Sequence, residues 1–255
     1  MVFHGSRDHK AQHAAFNLVQ QLNVKFKSKH TLTQHNFVES NCLASATSNN
    51  FADHPLIEVA ALELAPVSLR EKLVSFAKKA YRAGYLKVKV LPLFLAPGVH
   101  VQEDIPIEVA AAIKNINNKL TIELSPYLGK YSGIVTLLSR EFSELSAEKC
   151  ILIAHGSRLP QVAEYYQSLA DHLEVTMAYW SMNPGLEEQI VTQIKQGKSK
   201  IAIVPYFLFP GKITKMITNQ VTQLQQLYPQ VKLCMGQPLG TTAALAELIF
   251  ETESK

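Results

Sequence analysis

Cysteine is scarce in this chain: three in 255 residues, Cys42, Cys150 and Cys234, widely separated and with no CxxC pair. No disulfide framework follows from so few, and Cys150 and Cys234 lie in apolar, strand-like runs. Buried thiols in a reducing compartment are therefore expected. No apolar run reaches the ~18 residues of a membrane span. The N-terminus has no basic segment ahead of an apolar core, so no secretory signal is expected. Cytoplasmic location without membrane association is the reading. A net charge of +4 is too small to imply nucleic acid, though clustered basic groups would suit an acidic small molecule. No GxGxxG follows a strand-like run, and Walker A and GxSxG sequences are missing. These absences disfavour a dinucleotide site, a P-loop nucleotide enzyme and a nucleophile-elbow hydrolase.

What the chain does contain is a repeat. His4-Gly5-Ser6-Arg7 returns unchanged as His155-Gly156-Ser157-Arg158. Pro92-Leu-Phe-Leu-Ala-Pro-Gly98 returns as Pro205-Tyr-Phe-Leu-Phe-Pro-Gly211, and Pro126-Tyr-Leu-Gly129 as Pro238-Leu-Gly240. Three landmarks in the same order indicate an internal duplication. Two domains follow, 1–146 and 147–255, each long enough to bury a core.

Each half alternates strand and helix patterns. In the first half, a short strand at 2–3 precedes a helix over about 9–24 that Asp8 can cap. Residues 28–54 are polar and lack helical period. A strand follows at 56–64, a helix from Pro66 to about Gly84, a strand at 86–94, a helix from Pro106 to about 119, a strand at 120–124 and a helix over 131–144. The second half reads as strands 150–154, 174–181, 200–207 and 231–235, with helices 161–173, 184–196, 215–227 and 241–253. The interval from His4 to Pro66 is about 33 residues longer than that from His155 to Pro184, and the polar stretch accounts for it. A connection that long is normally functional or mobile. The predicted fold is α/β: two tandem similar domains, each a four-stranded parallel sheet flanked by helices.

Ligands of open parallel sheets bind beyond the carboxyl ends of the strands. His4 follows the first strand, Glu63 closes the second and His100 lies just beyond the third. Two imidazoles and a carboxylate suit Fe, Co, Ni or Zn. Each has a bland alternative: a hydrogen-bonded loop histidine, a solvated edge-strand glutamate, and for the acidic pair Glu103-Asp104 a helix-dipole partner. Their coincidence at one end of one sheet favours a site. The second half acts as an internal control. It keeps His155 opposite His4, but the repeat sets Ser181 opposite Glu63 and Ile213 opposite His100. Only the first domain is expected to carry metal chemistry. Arg7, Arg158, Lys212 and Lys215 fall in the crevice-edge loops, where they would hold ligand carboxylates or form ordinary solvated surface. Among Phe94, Tyr179, Trp180, Tyr206, Phe207 and Phe209, mostly core, one or two would form an apolar wall for a flat ligand.

The motifs Leu62-Glu63-Leu64-Ala65-Pro66 and Pro92-Leu-Phe-Leu-Ala-Pro-Gly-Val-His100 with Asp104-Ile105-Pro106, together with the two HGSR turns, resemble the class II tetrapyrrole chelatases. The likeness is to the long, two-module sirohydrochlorin chelatases and covers nearly the whole chain. The resemblance implies insertion of a divalent ion into sirohydrochlorin, Fe²⁺ first and Co²⁺ close behind, on the way to sirohaem or a cobalamin precursor. It implies that the two modules face each other across the active-site cleft, with substrate and metal bound between them, and it maps the metal-binding histidines to His4 and His100 and the acidic position to Glu63. No permanently bound cofactor is expected, the metal being substrate. The partner is a small-molecule tetrapyrrole, and a monomer with pseudo-two-fold symmetry is expected. A non-catalytic tetrapyrrole or metal carrier, and a phosphatase with an Arg–His pair, are the competing readings. Two features depart from the family pattern: the abbreviated first strand and the polar stretch 28–54.

Overall fold

The computed structural model describes residues 1–6, 8–35, 55–116 and 120–253. Arg7, Cys42 and residues 36–54 of the polar stretch lie outside the described residues. Among those described, no helix is long and apolar enough to cross a membrane.

In the first module, β1 (Val2–Phe3) leads to α1 (His9–His35), whose second residue donates its backbone N–H to the Asp8 carboxylate at 2.9 Å. The helix continues to His35 where the sequence suggested an end near 24. Nothing between Lys25 and His35 stops it: the segment holds no glycine or proline and has several good helix formers. β2 (Ala60–Ala61) is much shorter than the expected strand 56–64 because its partner β1 offers only two residues to pair with. α2 (Leu69–Arg82) begins after Ser68, which exchanges hydrogen bonds with Glu71 in a capping box. It buries Leu69, Leu73, Ala77 and Ala80 along one stripe. β3 (Lys87–Val90) is followed by a wide helical turn over His100–Asp104 that runs into α3 (Ile105–Lys114). β4 (Thr121–Leu124) and α4 (Gly133–Leu145) complete the module.

The second module repeats the order: β5 (Lys149–Ala154), α5 (Pro160–Leu173), β6 (Thr176–Tyr179), α6 (Leu186–Lys195), β7 (Lys200–Pro205), α7 (Lys212–Leu227), β8 (Lys232–Met235) and α8 (Ala243–Glu253). Its strands form one parallel sheet in the order β6-β5-β7-β8. In the first module β1 pairs with β2 and β3 with β4, also in parallel. A parallel bridge between Val2 and Pro92 links the two pairs, with Val2 N–H on Leu91 O at 2.9 Å and Leu93 N–H on Val2 O at 2.6 Å. The order β2-β1-β3-β4 thus mirrors the second sheet.

Three apolar clusters divide the interior. One packs α2 and α3 on the outer face of the first sheet, with Val88, Val90, Val109 and Ile122. A second packs α6 and α7 on the outer face of the second, with Ile151, Ile201, Ile217 and Val221. The third fills the middle and draws on both modules, including Leu18, Leu93, Ile134, Leu138, Leu152, Val204 and Ile249. Each module gives its last helix to the other's side. α4 packs against β7, and its Glu141 carboxylate accepts the Gln237 N–H at 3.0 Å. α8 packs against α1, and its Glu253 pairs with Lys89 of β3 at 3.3 Å and accepts the Tyr131 hydroxyl at 2.8 Å. Burial of apolar area in that middle layer is the principal force joining the halves.

Candidate active site

Each HGS turn is built by the strand it follows. Gly5 has φ +99°, and a Cβ there would sit 2.0 Å from the Glu63 carbonyl oxygen, so only glycine lets β1 turn while β2's end lies alongside. Gly156 repeats the left-handed backbone at φ +91°. Glu63 N–H donates to His4 O at 2.9 Å, and Ser181 N–H donates to His155 O at 2.9 Å. The backbone therefore pairs Ser181 with Glu63, as the repeat implied. Leu64, next to Glu63, is held at φ +57° although it is not glycine, a locally strained backbone at the rim.

His4, Glu63 and His100 come together. His4 Nε2 lies 3.9 Å from Glu63 Oε2, both side chains being about half exposed. The His4 and His100 rings meet edge to face with centroids 4.7 Å apart, and Phe94 lies 6.0 Å from the His100 ring. His4 Nδ1 is 3.1 Å from the Gly5 carbonyl oxygen. A carbonyl only accepts, so this is a hydrogen bond when Nδ1 carries the proton, leaving the Nε2 lone pair facing Glu63. His100 Nδ1 is 2.7 Å from Asp104 Oδ2, which orients that ring in the same sense. Among the described residues, no three His, Cys, Asp or Glu side chains already enclose a metal-sized position. The three are linked pairwise, with His4 as the common member.

Asp104 is the residue whose part the sequence did not reveal, since an acidic residue near a helix start reads as a dipole partner. Its signal was spacing: four residues after His100 on a helical turn, the two side chains share a face. An apolar fringe was also missed. Leu64 and Val99 adjoin Glu63 and His100, Met182 adjoins Ser181, and all three are exposed. Of the aromatic residues near the strand ends, Tyr206 is buried and the other five are half-buried.

The second module's counterpart is different. His155 is exposed, with Nδ1 3.3 Å from Gly156 O. The Ser181 hydroxyl donates to His155 O at 2.7 Å. Ile213 is half-buried against the outer core, together with Trp180 and Phe207. Arg158, Lys212 and Lys215 are exposed and have no acidic partner among the described residues.

The two sets of strand ends open on a shared region. Gln161, at the start of α5, donates to Gln102 beside His100 at 3.5 Å. A Cβ on Gly211 would lie 4.0 Å from the Asp8 carboxylate, and Phe3 meets Phe209 edge to face at 6.3 Å. Beneath this region, Tyr206 donates to Leu95 O and Tyr165 to Gly129 O, each at 3.0 Å, with the two hydroxyls 2.6 Å apart. Burial pushes the Tyr165 hydroxyl up to about 12 and Tyr206 well above the usual phenol range.

The repeated strand order and the exchanged helices make the chain a two-module α/β protein with one parallel sheet per module. It belongs to the CbiX family, whose model matches residues 1–145 and again 149–255. A sirohydrochlorin ferrochelatase from Priestia megaterium is 24% identical over 185 residues, covering 68% of each chain. A sirohydrochlorin cobaltochelatase from Methanosarcina acetivorans is 34% identical over 117 residues, 40% of this chain and 90% of the relative. Among solved structures, SirB from Bacillus subtilis with Fe³⁺ superposes with TM-score 0.72 at 19% identity, covering 99% of this chain and 92% of that one. CbiX, the terminal enzyme for siroheme biosynthesis in denitrifying bacteria, matches with TM-score 0.60 at 16% identity over 99% and 96%. At such identities the two structures carry the fold.

Proposed function

We propose that this protein inserts a divalent metal ion into sirohydrochlorin, with Fe²⁺ preferred and Co²⁺ next, and that residues 1–146 carry the metal site while 147–255 form a degenerate repeat. The observation that carries the reading is the position of His4. Its Nε2 lone pair faces the Glu63 carboxylate at 3.9 Å while its ring touches His100. Two electron-rich groups facing each other at that distance leave room for a cation between them, since metal–nitrogen and metal–oxygen bonds are each about 2.0–2.2 Å.

In this reading His4 and His100 hold the incoming ion, and Glu63 orients it or accepts a proton, the three together forming the catalytic set. Few protein ligands suit the task, because a closed four-ligand cage would not release the ion to the macrocycle. Asp104 fixes the His100 ring. The exposed apolar side chains of Leu64, Val99 and Met182 offer a surface for a flat ring system, and Arg7, Arg158, Lys212 and Lys215 are assigned to its peripheral carboxylates. Cys150 and Cys234 are free thiols, in keeping with a cytoplasmic setting.

Anaerobic incubation of the protein with sirohydrochlorin and Fe²⁺, Co²⁺ or Ni²⁺, followed by absorbance, tests the assignment. Many turnovers per chain are expected, fastest with Fe²⁺. A spectral change that stops at one equivalent would mark a carrier instead.

A further inference from the structure

The insertion reaction leaves a chemical requirement that the metal-facing residues do not meet. Each ion that enters displaces two pyrrole protons. His4 and His100 are assigned to the ion, and Glu63 lies on that same side of the ring, so protons leaving on the other side call for a second base. We propose that His155, on the second module, is that base, taking the pyrrole protons from the opposite side of the macrocycle; this rests on the chelatase reading above.

Three observations lead to His155. It follows β5 as His4 follows β1, in the same turn with the same left-handed glycine, so it sits at the ligand-facing end of its sheet. That end opens on the same region as His4 and His100. Gln161, six residues after His155, touches Gln102, two residues after His100, and Gly211 lies beside Asp8, four residues after His4. Finally, its neighbours suit proton transfer and not metal capture. Where His4 has a carboxylate and a second imidazole, His155 has the Ser181 hydroxyl, and among the described residues no acidic group bonds to its ring.

The Nδ1 contact to Gly156 O at 3.3 Å is a hydrogen bond in the tautomer that leaves Nε2 as an exposed lone pair. In the step itself, a pyrrole N–H bond breaks and its electron pair stays on nitrogen, which bonds to the ion. The proton joins His155 Nε2 and passes from the imidazolium to water. A second N–H follows by the same route, and the imidazole is regenerated. Atoms and charge balance: one divalent ion enters and two protons leave.

The test uses the full-length chain with His155→Ala and His155→Gln, side by side with His4→Ala. His155 is exposed, so both variants are expected to fold, and circular dichroism checks it. The expected result is a kcat about 10²-fold lower for the His155 variants, the loss typical of a missing general base. Their affinity for Co²⁺ alone should be unchanged, and 2,6-lutidine should restore the rate in proportion to its concentration. Lutidine accepts protons, but its flanking methyl groups hinder metal ligation, so it should leave His4→Ala unrescued. Near-normal kcat, weakened Co²⁺ binding, or a loss that no added base repairs would each overturn the assignment. Failure of the unsubstituted protein to insert any metal would instead sink the chelatase reading, and this inference with it.

Discussion

The Asp104 carboxylate holds Nδ1 of His100 at 2.7 Å across one helical turn. A ligand histidine whose second nitrogen is held by a carboxylate keeps one ring orientation and gains basicity at the other nitrogen. Asp104→Ala should therefore lower metal affinity or insertion rate about 10–100-fold, with the fold intact by circular dichroism. Asp104→Asn, whose amide oxygen still accepts from Nδ1, should lose less. Equal losses in the two variants would show that the hydrogen bond does not position the ring.

The repeat supplies a built-in comparison between positions of equal backbone geometry. Glu63 and Ser181 bond to the preceding strand in the same way, but Glu63 faces the Nε2 of His4, whose ring touches His100. Glu63→Gln should cut kcat/KM for metal insertion by at least ~10-fold, while Ile213→Ala, at the position matching His100, should stay within about twofold. Steady-state kinetics on the pair decides it. A large loss from Ile213→Ala would make the second module part of the metal site.

The exchange of α4 and α8 makes each sheet depend on the other half of the chain. Residues 1–146 expressed alone should lack α8 on the first sheet, expose apolar surface and show no cooperative unfolding. Co-expression with 147–255 should restore a stable complex. The Lys89–Glu253 ion pair, partly exposed, is a minor element of this: Glu253→Gln should cost about 0.2–1 kcal/mol in urea unfolding. Independent cooperative folding of either half would contradict the exchange.

Two tyrosines stand at the same junction and give a pH dependence. The folded chain raises Tyr165 to about 12, through burial first, and burial likewise raises Tyr206 well above the usual phenol range, while unfolded phenols ionise near 10. A raised folded value means full stability below pH 10 and progressive loss between about 10 and 12, as the unfolded state releases protons the folded state retains. Urea unfolding from pH 8 to 11.5 should show that decline. Tyr206→Phe should flatten it and cost about 1–3 kcal/mol at neutral pH, because Leu95 O loses its donor.

Most of the site could be read before the fold. His4, Glu63 and His100 are each placed by a strand end, and strand ends are marked by β-branched runs followed by glycine or proline. The repeat sets Ser181 and Ile213 of the second module opposite Glu63 and His100. What escaped reading depends on pairing and packing. α1 runs on to His35 because no glycine or proline stops it. β2 shrank because its partner is two residues long. The exchange of α4 with α8 left no mark, since an amphipathic helix does not reveal which sheet it covers. Asp104 was visible, yet one acidic residue at a helix start serves two purposes with the same letter.

The most direct measurement is Co²⁺ binding to the chain without tetrapyrrole, followed by visible absorbance or calorimetry. One ion per chain is expected, lost together in His4→Ala, His100→Ala and Glu63→Ala and retained in Ser181→Ala. Unchanged Co²⁺ binding after removal of His4 and His100 would contradict the site.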